Sequence, residues 1–152
     1  MKNDTTVERK SEREVVITRT FNAPARLVFE AWTKPELMRR WWVPKSSGLT
    51  LLSCEMDVRT GGTYRFVFQH TPQPMAFFGR YLEVSPHSRL VWTNDESGDD
   101  GQLSTLRLED RGDTTRIVLL EVYPSGAAYE AAKGSYDGMP ESFAQLDELL
   151  AG

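Results

Sequence analysis

The chain is short of most features that announce a function at sight. Among its 152 residues Cys54 is the single cysteine, so no disulfide can close within it. A lone thiol fits a reducing compartment, and a cytoplasmic location is expected. Only two histidines occur, His70 and His87, with no metal-ligand spacing around either. Each reads as a surface residue at the end of a strand or turn. The longest purely aliphatic run is Ile117–Leu120, far short of the roughly 20 residues that span a bilayer. Residues Met1–Glu14 lack the apolar stretch of a signal peptide. Positive charge is in the minority, 18 Lys and Arg against 22 Asp and Glu for a net charge of −4. No global field therefore favours nucleic acid or an anionic membrane. The G-x-G-x-x-G, P-loop, H-E-x-x-H and C-x-x-C motifs are all absent, and no cofactor or metal is expected. The acid-rich Asn94–Gly101 has Asp100 where a calcium loop needs glycine and no closing glutamate, so it reads as a solvated hairpin loop. Asn3-Asp4-Thr5 and Arg111-Gly112-Asp113 spell a sequon and an adhesion tripeptide that mean little without an export signal.

What the chain does contain is a clear change of period. At the C-terminal end Tyr136, Met139, Phe143, Leu146 and Leu150 recur at alternating steps of three and four, with Glu141, Gln145 and Glu148 opposite. That is one apolar stripe on a helix over 137–150, with Asp137 as cap and Pro140 in its first turn. A shorter helix, Ser125–Lys133, precedes it and ends at Gly134. Near the start, residues 1–13 read as a disordered, solvated leader, and residues 14–152 as one domain. Glu14–Phe21 alternates as a strand, with Val15, Ile17 and Arg19 on one side. Two short amphipathic helices follow. Ala25, Val28, Phe29 and Trp32 form the apolar face of one; Leu37, Met38, Trp41 and Trp42 form that of the other. Helices this short must dock on something.

From Leu49 onward the period is two. Strands are expected at Leu49–Val58, Thr63–His70, Ala76–Val84, Arg89–Asn94, Gln102–Glu109 and Thr115–Tyr123, joined by short turns that favour antiparallel neighbours. Gly61-Gly62 reads as a tight turn. Tyr64, Phe66 and Phe68 alternate against Arg65, Val67 and Gln69, and Leu90 and Trp92 against their neighbours. Ile117–Val122 is apolar on both faces, and its facing stays open. The fold class is α+β: a curved seven-stranded antiparallel sheet, two small helices after the first strand, and a long terminal helix. Glu121 would enter the interior if Ile117 and Leu119 face inward. An outward or cross-paired carboxylate is the expectation for Glu121, as for Glu55 and Asp57.

Four blocks in order carry a resemblance: FNAPARLVFEAWTKPELMRRWW, DVRTGGTYRF, FFGRYLEVSPHSRLVWTN and GMPESFAQLDELL. Together they resemble the heat-shock-protein-90 ATPase activator homologue family, within the START/birch-pollen-allergen superfamily. The resemblance implies a helix-grip fold, a bent sheet wrapped around the C-terminal helix with a cavity between them. Superfamily members bind lipids, hormones and aromatic natural products, and some act as cyclases or hydrolases. The name comes from co-chaperones with a further N-terminal domain, where this chain has only its short leader. Gly138 is followed by Met139 where the family's commonest pattern has Gly-Trp. No catalytic set carries over.

The expected function is binding of a small, largely apolar or aromatic molecule, without nucleic acid or membrane as partner. On the sheet Tyr64, Phe66, Phe68 and Trp92 are assigned to the site. On the helices Trp41, Tyr136, Met139 and Phe143 are assigned to it. The competing outcome is a filled core with no cavity. Two other readings remain: an enzyme doing acid–base chemistry in the same cavity, and a chaperone-linked interaction module.

Overall fold

Strand β2 (Glu14–Phe21) shows how the pattern becomes structure. Val15, Ile17, Arg19 and Phe21 are buried, and the residues between them are half-exposed. In the computed structural model, which describes residues 5–69, 73–95 and 101–151, β2 lies in an antiparallel sheet. The other strands are β1 (Thr6–Arg9), β3 (Thr50–Met56), β4 (Thr63–Gln69), β5 (Met75–Ser85), β6 (Arg89–Asn94), β7 (Gln102–Asp110) and β8 (Thr115–Val122). Their order across the sheet is β1-β2-β8-β7-β6-β5-β4-β3. His70, the start of the turn after it, Asn3, Asp4 and most of the acid-rich loop lie outside the described residues.

The sheet has eight strands where seven are expected. The extra one, β1, falls in the segment read as a disordered leader and pairs with β2 from Thr6↔Thr18 to Arg9↔Val15. Its side chains are exposed, so nothing in the apolar pattern announces it. Backbone hydrogen bonding to an open sheet edge holds it instead, helped by Arg9 lying 4.1 Å over the Tyr129 ring.

Strand β5 links the two parts of the sheet. Its first half pairs with β4 and its second half with β6, with a register shift between Tyr81 and Glu83. A bulge of this kind bends a strand and raises its twist. The Gly61-Gly62 turn braces the bend: Gly61 N–H donates to Tyr81 O and Tyr81 N–H to Gly62 O, both at 2.8 Å. Gly61 has φ +87°, and a Cβ on Gly62 would lie 2.0 Å from the Asp57 carbonyl oxygen. Neither position accepts a side chain without strain.

Helices α1 (Ala25–Thr33) and α2 (Pro35–Trp41) carry the chain from β2 towards the opposite sheet edge. Val28, Phe29, Trp32, Met38 and Trp41 are buried as their spacing predicts. At the C-terminal end, α3 (Gly126–Ala132) is capped by Ser125, whose Oγ accepts the Ala128 N–H at 3.1 Å. The chain does not stop at Gly134 but tightens into a 3-10 turn over Lys133–Gly138 that runs into α4 (Met139–Ala151). Asp137 sits inside this turn, ahead of the start of α4. No helix among the described residues is long and apolar enough to cross a membrane.

The polar face assigned to α4 needs correction. Gln145 is buried, not solvated. Its amide nitrogen donates to Trp41 O at 3.0 Å and Val43 O at 2.9 Å, and its oxygen accepts Lys45 N–H at 2.9 Å. Ser142 Oγ donates to Trp42 O, and Glu141 accepts from Ser46. After α2 ends, this stretch of backbone has unpaired polar groups, and α4 supplies their partners.

Candidate functional site

Sheet and helices leave a cavity of about 270 Å³ between the concave face and the Tyr136–Met139 end of the terminal helical segment. Of the residues assigned from sequence, Tyr64, Phe66, Trp92, Tyr136 and Met139 line it. Strand alternation delivers the first three, and the stripe delivers the last two.

Trp41, Phe68 and Phe143 do not line it, and each is occupied elsewhere. Trp41 is fully buried, its indole N–H donating to Ala31 O at 2.9 Å. Phe68 packs edge-on to Phe77 with ring centroids 5.4 Å apart. Phe143 meets Phe21 edge-on at 5.4 Å and Trp41 at 6.2 Å. One turn along α4 from Met139, the interior is filled. Arg19 and Asp147 pair across this filled end, tying β2 to α4.

Several lining residues were missed. Trp32, Trp42 and Tyr81 close the aromatic wall; the two tryptophans lie on helix faces read only as docking surface. Trp32 sits among Trp41, Trp42 and Trp92 with centroid distances of 4.9, 6.0 and 6.1 Å. Its buried indole nitrogen has no hydrogen-bond partner among the described residues, a state that costs about 1–3 kcal/mol.

The polar part of the wall is Asn94, Gln102, Ser104 and Glu121. Glu121 overturns the expectation of an outward carboxylate. Ile117 and Leu119 are buried on the concave side, and period two carries Glu121 there with them, 5% exposed. Glu55 is exposed, and Asp57 pairs with Arg59 at 2.9 Å. Ser104 Oγ donates to Glu121 Oε2 at 2.8 Å, and the Gln102 amide donates to the same oxygen. Asn94 Nδ2 donates in turn to Ser104 Oγ at 3.0 Å. Burial pushes the Glu121 carboxyl up to about 7, against the opposing pull of the Ser104 and Gln102 hydrogen bonds. No ion pair to it occurs among the described residues.

Above the carboxyl, Tyr123 and Tyr136 share a hydrogen bond through their hydroxyls. Burial raises both phenols, and the Glu121 charge raises them further. They stay neutral near pH 7. Among the described residues no group of three or more His, Cys, Asp or Glu could hold a metal ion. Two larger hollows, about 600 and 550 Å³, lie against the outer side of the sheet and are lined largely by charged strand residues such as Arg65, Arg80, Arg107 and Arg116. They enclose little.

Comparison with known proteins agrees with this architecture. A crystal structure from Rhodobacter sphaeroides superposes with a TM-score of 0.87 at 23% identity, covering 97% of this chain and 98% of that one. A protein of Nitrosomonas europaea gives 0.82 at 25% identity, covering 94% and 97%. An AHSA1-like protein of Aeromonas hydrophila gives 0.71 at 16% identity, covering 88% and 93%. No curated protein matches the chain. Likeness at such identities carries the fold, an α+β helix-grip arrangement, and not the ligand. The family model described as activator of Hsp90 ATPase homolog 1-like protein matches residues 22–151, and the chain belongs to that family.

Proposed function

We propose that this chain is a binding protein for a small, largely apolar or aromatic molecule held between the sheet and the terminal helix. The cavity of about 270 Å³ with its aromatic wall carries this reading. An apolar cavity of about 150 Å³ admits benzene, and ligand pockets usually start near 300 Å³. A molecule of one or two rings is the right size. Burying roughly 250 Å² of apolar ligand surface yields about 6 kcal/mol at ~25 cal/mol/Å². Association costs at least about 4 kcal/mol of that, so generic apolar probes should bind weakly and a well-matched ligand more tightly. The setting is a reducing cytoplasm, where the solitary Cys54 stays a thiol. Native mass spectrometry of freshly purified protein tests the reading. A co-purified small molecule, lost in Met139→Trp, is the expected result. A clean apo mass together with no apolar-probe binding would refute it.

One observation favours a second reading, an enzyme. A buried carboxyl that titrates near neutrality inside a cavity is suited to general acid–base chemistry. Incubating the co-purified molecule with wild type and with Glu121→Gln decides this. Conversion by wild type alone supports catalysis; unchanged recovery from both leaves binding.

A further inference from the structure

The binding reading leaves open what chemistry the occupant carries, and the polar wall bears on that. Both protein donors to Glu121 converge on Oε2. Among the described residues Oε1 receives nothing, so it is the acceptor left for a ligand. The network also has a direction. Asn94 donates to Ser104, and Ser104 donates to the carboxylate, so each neighbour is turned to serve a negative acceptor. No Lys, Arg or His among the described residues lines the cavity. Among the described residues the other titratable side chains there are phenols, Tyr64 and Tyr81 from β4 and β5, with Tyr123 and Tyr136 beyond β8. The carboxylate therefore lacks a positive partner among the described residues, and a ligand can bring one.

The rest of the wall suits such a charge. Trp32, Trp42 and Trp92 present indole rings and Tyr64 a phenol ring. Aromatic faces attract cations, indole most strongly, and more so when water is excluded. Resting on the reading of the cavity as a binding site, we propose that its occupant is an organic cation: a protonated amine on an apolar body of one or two rings, its ammonium against Glu121 Oε1. The desolvation of Glu121 is already built into the fold, so an incoming ammonium completes an ion pair instead of burying two new charges. The same field disfavours carboxylates and phosphates, which would leave like charges facing each other out of water.

Three probes of nearly one shape test this in the full chain by calorimetry: 2-phenylethylamine, 2-phenylethanol and propylbenzene. At pH 8 the amine should bind at least about ten-fold tighter than either neutral probe. Its advantage should shrink towards pH 5.5, where Glu121 is protonated and the amine keeps its charge. Tyr81, Tyr123 and Tyr136 do not titrate in that range, since ordinary tyrosine ionises near pH 10 and burial raises all three further. Glu121→Gln should bind all three probes within about two-fold of one another; should it fail to fold, the wild-type pH series decides alone. Propylbenzene or phenylethanol matching the amine at pH 8, or an amine preference surviving in Glu121→Gln, overturns the cation while leaving the binding site. If no probe binds wild type at millimolar concentration, both proposals fall.

Discussion

The two halves of the interior use the same kinds of residue to opposite ends. Around Phe143 and Leu146, side chains from β2, α1, α2 and α4 interlock, and Phe21, Trp41, Phe143 and Leu146 are at most 1% exposed. Around Tyr136 and Met139, as many aromatics face each other across a gap of about 270 Å³. The difference is not hydrophobicity. In the filled half, α4 places Phe143 and Leu146 among side chains of β2, α1 and α2. The hollow half is bounded by a 3-10 turn, which projects fewer side chains inward per unit length, and by a wall in which Asn94, Gln102, Ser104 and Glu121 hydrogen-bond to one another. Close packing and a gap are thus neighbouring outcomes of one apolar stripe.

Breaking the filled half should cost most. Phe143→Ala removes a ring held between Phe21 and Trp41 and should destabilise the fold by about 3–5 kcal/mol in chemical denaturation. A loss under about 1 kcal/mol would mean this half is as loosely filled as the other.

Next comes the clamp that keeps the halves in register. Gln145→Ala strips partners from three backbone groups at Trp41, Val43 and Lys45. Buried groups left unpaired cost about 1–3 kcal/mol each, and water can reach some of these, so a net loss of about 2–4 kcal/mol is expected. Equilibrium unfolding of Gln145→Ala beside Gln145→Glu measures it; an unchanged midpoint for Gln145→Ala would remove the clamp from the account.

These residues also mark what the sequence could and could not convey. Spacing puts Met139 and Phe143 on one face of α4, and the structure agrees. It cannot say that one borders a void and the other is encased, because that depends on what Phe21 and Trp41 bring from elsewhere in the chain. Gln145 reads as solvated by period alone; only the unpaired backbone after α2 explains its burial. Glu121 was legible conditionally. A strand with Val118, Leu120 and Val122 on its other face has no evident inside, so the period placed Glu121 with Ile117 and Leu119 without saying where that side lay. Tyr64 and Phe66 were readable outright, since Arg65 and Gln69 beside them left one choice.

Glu121 gives the hollow half a pH dependence of its own. Its folded carboxyl titrates at about 7, above the ordinary value near 4.3 of an unfolded glutamate. Between these values the folded state holds the proton that the unfolded state has lost, so stability falls as pH rises through that window. It is level below about pH 4 and again above the folded value. Glu121→Gln removes the slope. It should match wild type near pH 4 and exceed it at pH 8 by about 3 kcal/mol, unless a cation occupies the cavity. Parallel pH–stability curves for the two proteins would show that the carboxyl is solvated and the half not closed.

The smallest stability effect expected is the sharpest test of the comparison. Met139→Trp adds a large ring at the mouth of the cavity, where Met139 is half-exposed and its neighbours leave room. An added ring in a packed interior forces strain of about 1–3 kcal/mol or more; here it should enter existing space, and stability should stay within about 1 kcal/mol of wild type. The matched control is Leu146→Trp, two turns along the same helix and fully buried, which should lose at least about 3 kcal/mol or fail to fold. Thermal unfolding of the pair reads the contrast directly. The fluorescence of an apolar probe added to Met139→Trp should show binding gone from a protein still folded. If both tryptophans are equally damaging, the hollow half is filled in solution; if Met139→Trp is benign and the probe still binds, the ligand enters by a route that does not pass Met139.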